Sequence, residues 1–299
     1  MGYDAKEFRA LDGTILRGVS ASVPQFGEHI LTSFKFNCVM DMVGMPDVAE
    51  VFQKAGVSVL QFDPRNTGIS DGTPRNELDP MKQVEDLSDA LTFLSTQPEV
   101  DASKLGLWGF SFGGTASLCA AALDKRATFV IAVCPLTDLD FVSGKQSEVL
   151  AQAIKDRESQ ILGNAPFSIP VLDRNGRNPI GFGHGVDEER YAKLIQTGHQ
   201  LAPNHVNRVT LQTYYKIVMW QPFPLWNLLS STKVMFVTAG SDQMSYPELQ
   251  KSRFKELTCD KRIFVRENAG HEDIMMGEHL IPVAHAQTQF ISDVFLGNV

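Results

Sequence analysis

The sequence has no run of apolar residues approaching the roughly 18 that a membrane-spanning helix requires, so no membrane span is expected. Its four cysteines, Cys38, Cys119, Cys134 and Cys259, are scattered, without a Cys-x-x-Cys spacing or a disulfide framework. That pattern predicts a reducing, cytoplasmic setting. Basic residues are outnumbered: 27 Lys and Arg face 35 Asp and Glu, for a net charge of −8. Nucleic-acid binding needs clustered cations to neutralise phosphates, and this balance disfavours it. No internal repeat and no low-complexity tract are present. Asp4, Lys6, Glu7, Arg9, Asp12 and Arg17 interrupt what would have to be the apolar core of a secretory signal, so none is expected. The last residues, Leu296 to Val299, match no lipidation or retention signal.

What is present is the composition of a folded globular chain, 43% hydrophobic and 21% charged over 299 residues. That length suits either two units or one α/β domain carrying an insertion. Short β-branched and apolar runs alternate with longer helical patterns, as in βαβ units. A hairpin of Lys6–Ala10 and Ile15–Ala21 is expected around Asp12-Gly13, a pair that accepts the positive φ of a tight turn. A strand at His29–Phe36, a helix from Pro46 to Ala55 and a buried-type strand Val57–Phe62 follow. Asp79-Pro80 supplies an N-cap and a first-turn proline for a helix with Val84, Leu87, Leu91 and Leu94 on one face. Strands at Leu105–Phe110 and Phe129–Val133 flank an alanine-rich helix at Thr115–Leu123. The alternation then lapses until a strand at Lys233–Thr238. Next come a capping box at Ser245 and Glu248, a strand at Lys261–Arg266 and a terminal helix from Ile281 to Phe295.

The fold class expected is therefore α/β: an eight-stranded, mostly parallel sheet flanked by helices, with a helical insertion after the sixth strand. Residues 1–137 and 230–299 would form the core domain. Residues 138–229 are too long for a bare connection and predict a small helical cap or lid.

The strongest local motif is Gly109-Phe110-Ser111-Phe112-Gly113, set between a strand and a helix. In a nucleophile elbow, small residues two before and two after the serine let strand and helix approach. A serine hydroxyl is a weak nucleophile at neutral pH and needs a histidine base with a carboxylate to orient it. Of seven histidines, His271 stands in the loop after the last strand. His29, His184, His199, His205, His279 and His285 read as surface or satisfied core residues. Asp242 ends the strand at Lys233–Thr238, at the carboxyl edge where open α/β sheets build their sites. Asp138 and Asp140, after the sixth strand, are its rivals, and Asp273 reads as a solvated loop charge.

With Ser111, Asp242 and His271 in that chain order, the sequence resembles an α/β-hydrolase over nearly its whole length. Phe62 to Gly72 is similar to the Asp-x-Arg-x-x-Gly-x-Ser loop of these enzymes. Its expected role is structural, with Asp63 and Arg65 tying loops together and Ser70 no rival nucleophile. Phe36-Asn37-Cys38-Val39, Asp79 to Gln83, Asp156 to Gln160 and Tyr214 to Phe223 resemble fungal hydrolases of secondary-metabolite clusters. That group includes a polyketide transferase of the fumagillin type. The resemblance implies action on a polyketide-derived acyl, ester or carbonyl compound.

An oxyanion hole on this fold would combine the backbone N–H of Phe112 with one from the loop after the third strand, here Phe36. Many relatives carry His-Gly or Gly in that loop, whereas this chain has Lys35. Lys35 reads either as a solvated charge or as a cation near the developing oxyanion or an anionic substrate group. Tyr215, Trp220 and Phe223 are the substrate-contact candidates among the aromatics of the insertion, which together argue for a hydrophobic substrate. Gly181 to Gly185 lacks the strand and βαβ context of a dinucleotide site. His271-Glu272-x-x-Met275 lacks the second histidine of a zinc helix, so no cofactor and no metal are expected.

Three functions follow. The first is serine-based hydrolysis or acyl transfer on an ester or thioester. The second is acid/base cyclisation, dehydration or isomerisation in the same pocket, and the third a silent binding protein. A homodimer is compatible with the sequence.

Overall fold

In the computed structural model, residues 3–23, 28–33, 38–42, 44–142, 144–183, 192 and 200–299 are described. The chain opens with β1 (Asp4–Arg9) and β2 (Ile15–Ala21), antiparallel, turning at Gly13 with φ 91°. Then come β3 (Glu28–Ser33), α1 (Met45–Lys54), β4 (Val57–Phe62), α2 (Pro80–Ser95), β5 (Leu105–Phe110), α3 (Phe112–Leu123) and β6 (Phe129–Val133). The third strand expected from the sequence ran to Phe36, and its last residues lie outside the described ones. Asp79 caps α2 as its position suggests, accepting from the amides of Met81 and Lys82. The face of α2 that carries Val84, Leu87, Leu91 and Leu94 is buried, each side chain contributing about 1.5–3 kcal/mol.

Segment 138–229 holds α4 (Lys145–Ile161), a short antiparallel ribbon of β7 (Ser168–Ile169) and β8 (Val209–Thr210), α5 (Leu211–Met219) and a 3₁₀ turn, Phe223–Leu228. The ribbon was not expected. Gln212 on α5 donates to the Ala153 carbonyl and to Asp156, both on α4, and so fixes the two helices together. At the other end of α5, Lys216 reaches Glu77 and Asp79, each at 2.9 Å, anchoring the segment to the start of α2.

The chain closes with β9 (Lys233–Ala239), α6 (Pro247–Glu256), β10 (Lys261–Arg266) and α7 (Gly277–Leu296). Among the described residues, the main sheet has eight strands in the order β1-β2-β4-β3-β5-β6-β9-β10. From β4 to β10 in that order all neighbours are parallel; β1 and β2 are the antiparallel edge. β4, β5 and β6 are buried at every position, as strands covered on both faces must be.

Three local expectations are corrected. α3 begins at Phe112 rather than Thr115, because the chain passes from strand to helix across a single residue. The capping box does not form: Tyr246 is the N-cap of α6 without a side-chain bond, and the Ser245 hydroxyl donates to the Pro135 carbonyl at 2.6 Å. The terminal helix starts at Gly277 rather than Ile281, and Pro282 lies inside it in the second turn, where it removes one i→i−4 hydrogen bond.

In the loop after β4, Arg65 forms two bonds to Asp86 and one to Asp12, while Asp63 accepts from the amides of Met40 and Ile69. Ser70 donates to the Asp63 carbonyl, so its hydroxyl is committed to the loop. No helix of the described residues is long and apolar enough to cross a membrane.

Candidate active site

Ser111 sits between β5 and α3 with φ 57° and ψ −122°, a strained backbone for a residue with a side chain. Its neighbours explain how the strain is held. A Cβ on Gly109 would fall 2.2 Å from the Gly113 carbonyl oxygen, so only glycine permits the crossing. The Ser111 amide donates to Val133, and its carbonyl accepts from Thr115 and Leu136. The side chain is 2% exposed, at the carboxyl edge of the sheet. Phe112 opens α3 at the positive end of the helix dipole.

His271 follows β10 in a loop that folds back on itself. Gly270 donates to the Asp273 carboxylate at 2.7 Å, so Asp273 is a half-buried loop brace rather than the solvated charge expected. The imidazole stacks at a tilt against Phe110, with centroids 5.0 Å apart. Its Nε2 lies 2.9 Å from Ser111 Oγ and its Nδ1 2.8 Å from Asp242 Oδ2. A carboxylate only accepts, so Nδ1 carries the proton and Nε2 is left to accept from the serine hydroxyl. Asp242, rather than Asp138 or Asp140, meets His271; Asp140 is exposed.

Asp242 Oδ1 accepts from the amides of Met244 and Ser245, each at 2.8 Å. Burial alone would raise its carboxyl, but the His271 hydrogen bond and charge, with the Ser245 and Met244 amides, outweigh it and hold the group below its usual range. Ser111, Asp242 and His271 thus form a continuous buried relay, able to draw a proton from a hydroxyl and return it to a leaving group.

Cys134 Sγ, Asp242 and His271 bring their ligand atoms within 4.8 Å of one another. The carboxylate oxygens already have four donors, from Met244, Ser245, His271 and Gln250, which fills the acceptor positions a carboxylate offers. The cluster therefore reads as a hydrogen-bonded relay with a thiol beside it, and its donor set does not suit a resident metal.

Trp220 packs its ring on Phe112, with centroids 5.2 Å apart, which brings the insertion against the residue after the serine. Its indole Nε1 and the hydroxyl of Thr137 are buried polar atoms without a hydrogen-bond partner. Tyr215 lies under Arg157, and Phe223 packs against Trp226 and under Arg253; these are contacts within the protein rather than with the relay. Lys35 and Phe36 lie outside the described residues, as do His184 and His199. His279 accepts from Arg266, as a satisfied buried histidine does.

Sequence reasoning missed Gln250, Thr238 and Cys134. Gln250 is surrounded in sequence by charged residues, and nothing local distinguishes it from a solvated side chain.

Residues 44–286 match the model of the alpha/beta hydrolase family. The chain belongs to the α/β hydrolase family. It is 43% identical over 285 residues to a thiohydrolase of Eupenicillium brefeldianum, covering 95% of this chain and 92% of that one. It is 41% identical to a polyketide transferase of Stachybotrys chlorohalonatus, covering 95% of each. Among solved structures, DcsB in complex with its substrate analogue superposes with a TM-score of 0.93 at 39% identity, covering 98% of this chain and 99% of that chain. The α/β hydrolase GrgF from Penicillium superposes at 0.89 with 32% identity, over 99% of this chain and all of that chain.

Proposed function

We propose that this hydrolase cleaves or transfers the acyl group of an ester or thioester of a hydrophobic, polyketide-like compound in secondary-metabolite biosynthesis. The observation that carries the proposal is the relay, with His271 Nε2 at 2.9 Å from Ser111 Oγ and Nδ1 at 2.8 Å from Asp242. His271 takes the hydroxyl proton as Ser111 Oγ bonds to the carbonyl carbon. The oxyanion is stabilised by the Phe112 amide at the head of α3, with the Phe36 amide as second donor. Collapse expels the thiol or alcohol, which leaves with the proton held on Nε2. Water or an acceptor hydroxyl then gives its proton to His271 and attacks the acyl-serine, regenerating Ser111. Relatives named thiohydrolase and polyketide transferase support both acceptors.

Segment 138–229 acts as the cap in this reading, resting on the site through Trp220 and Phe112. Apolar side chains there suit a reduced carbon chain. The unpartnered Trp220 Nε1 and Thr137 hydroxyl suit a chain that also carries oxygen functions, since each buried polar atom left unpaired costs about 1–3 kcal/mol. Tyr215 and Phe223 are better read as cap core, given their contacts with Arg157, Trp226 and Arg253.

Intact-mass analysis after treatment with a serine-directed phosphonate tests the chemistry. One adduct at Ser111 is expected, together with a loss of turnover of about 1000-fold or more in Ser111→Ala. Substantial turnover in Ser111→Ala, with none in His271→Ala, would replace the acyl-enzyme by acid/base chemistry in the same site. Incubation with polyketide thioesters, with and without a hydroxyl acceptor, separates hydrolysis from transfer.

A further inference from the structure

α6 runs Pro-Glu-Leu-Gln-Lys-Ser-Arg-Phe-Lys-Glu over the outside of the sheet, and its one buried residue is Gln250, at 0% exposure. A helix that docks a single side chain into a sheet ordinarily docks an apolar one, since an amide must find partners for two donors and an acceptor. Gln250 finds all three. Its Nε2 donates to the Ser245 carbonyl at 2.7 Å and to Asp242 Oδ2 at 3.4 Å, and its Oε1 accepts from the Thr238 hydroxyl at 2.9 Å. The Ser245 carbonyl can only accept, so the amide cannot be turned the other way round. Ser245 is itself tied to both sides: its amide donates to Asp242 and its hydroxyl to Pro135 at the end of β6.

We propose that Gln250 is a positioning residue of the site, holding Asp242 Oδ2 toward His271 through a buried frame of Thr238, Ser245 and Pro135. The inference rests on the serine-relay reading above. The oxygen that receives His271 Nδ1 is the same one that receives Gln250, so this amide limits both how far the carboxylate can rotate and how much negative charge it presents to the imidazole. Among the described residues, the other titratable groups beside Asp242 and His271 are Cys134, just after β6, and Glu272, next to the histidine in the chain.

Gln250→Met keeps the shape and removes the donors. Losing a donor leaves more charge on the carboxylate, which favours the imidazolium. The acid limb of kcat/KM therefore moves to higher pH in Gln250→Met. In Gln250→Met, kcat per phosphonate-titrated site falls about 10-fold or more while KM changes little. NMR titration of the His271 imidazole in the free protein follows the same displacement without any substrate. A folded Gln250→Met with unchanged kcat per site, acid limb and His271 titration would overturn the proposal. Absence of Ser111-dependent turnover in the unsubstituted protein would instead sink the acyl-enzyme reading, leaving the His271 titration to decide on Gln250.

Discussion

Arg65 grips Asp86 with two parallel bonds, Nε to Oδ2 at 2.8 Å and Nη2 to Oδ1 at 2.5 Å, and so bolts the loop after β4 to the middle of α2. Both side chains are buried, at 9% and 2% exposure, so neither can fall back on water if its partner is lost. Arg65→Ala is expected to cost about 3–5 kcal/mol by urea denaturation, and Arg65→Leu with Asp86→Leu to recover much of it. Equal losses in the single and double variants would show that the pair itself, rather than the stranded charge, supplies the stability.

Gly109 is the position where strand and helix touch. An added Cβ would lie 2.2 Å from the Gly113 carbonyl and 2.6 Å from Ser117 Oγ, and the carbonyl is backbone that cannot swing aside. Gly109→Ala should lower stability by about 1–3 kcal/mol and displace Ser111 enough to slow phosphonate labelling. A variant that labels at the unsubstituted rate would mean that the elbow has slack the structure does not show.

The depressed carboxyl of Asp242 has a pH signature. A carboxyl whose folded value lies below its unfolded value of about 3.9 adds stability above that pH, and this is lost as pH falls through the folded value. Asp242→Asn removes the contribution. The stability difference between the unsubstituted protein and the variant should be full near neutrality and shrink below about pH 4, measured by urea titrations at stepped pH. A difference independent of pH would show that His271 and the Ser245 and Met244 amides do not favour the ionised form.

Lys216 links segment 138–229 to the entry of α2 through Glu77 and Asp79, with Thr210 donating to the other Glu77 oxygen. The lysine is partly exposed, so Lys216→Met should reduce the cost of local opening by about 1–2 kcal/mol rather than unfold the protein. Hydrogen exchange is expected to quicken in α5 while β5 is unaffected. Equal quickening in both would mean that the segment and the sheet open as one unit.

The parallel strands were legible because they are short β-branched or apolar runs, and the elbow because Gly109, Ser111 and Gly113 are neighbours in sequence. His271 and Asp242 stood out by their places at strand ends, and the structure brings both to the serine. Other features depended on distant partners. Ser245 and Glu248 carry the letters of a capping box, but the Ser245 hydroxyl goes to Pro135, 110 residues away in the chain. Within the insertion, α4 buries only Val149, Ala153 and Asp156, too thin a stripe to announce a helix. Gln250 was invisible for a related reason: no periodicity separates a glutamine bound to a carboxylate from one bound to water.

All four thiols lie in the interior, and Cys134 adjoins the carboxylate that orients His271. Burial, reinforced by the Asp242 charge, pushes this thiol well up from its ordinary value, so almost no thiolate is available to an alkylating agent in the closed protein. Inactivation by maleimide or a mercurial would thus require a rare local opening around Cys134, and on the acyl-serine proposal it would imitate, in a crude inhibitor screen, an enzyme that works through cysteine.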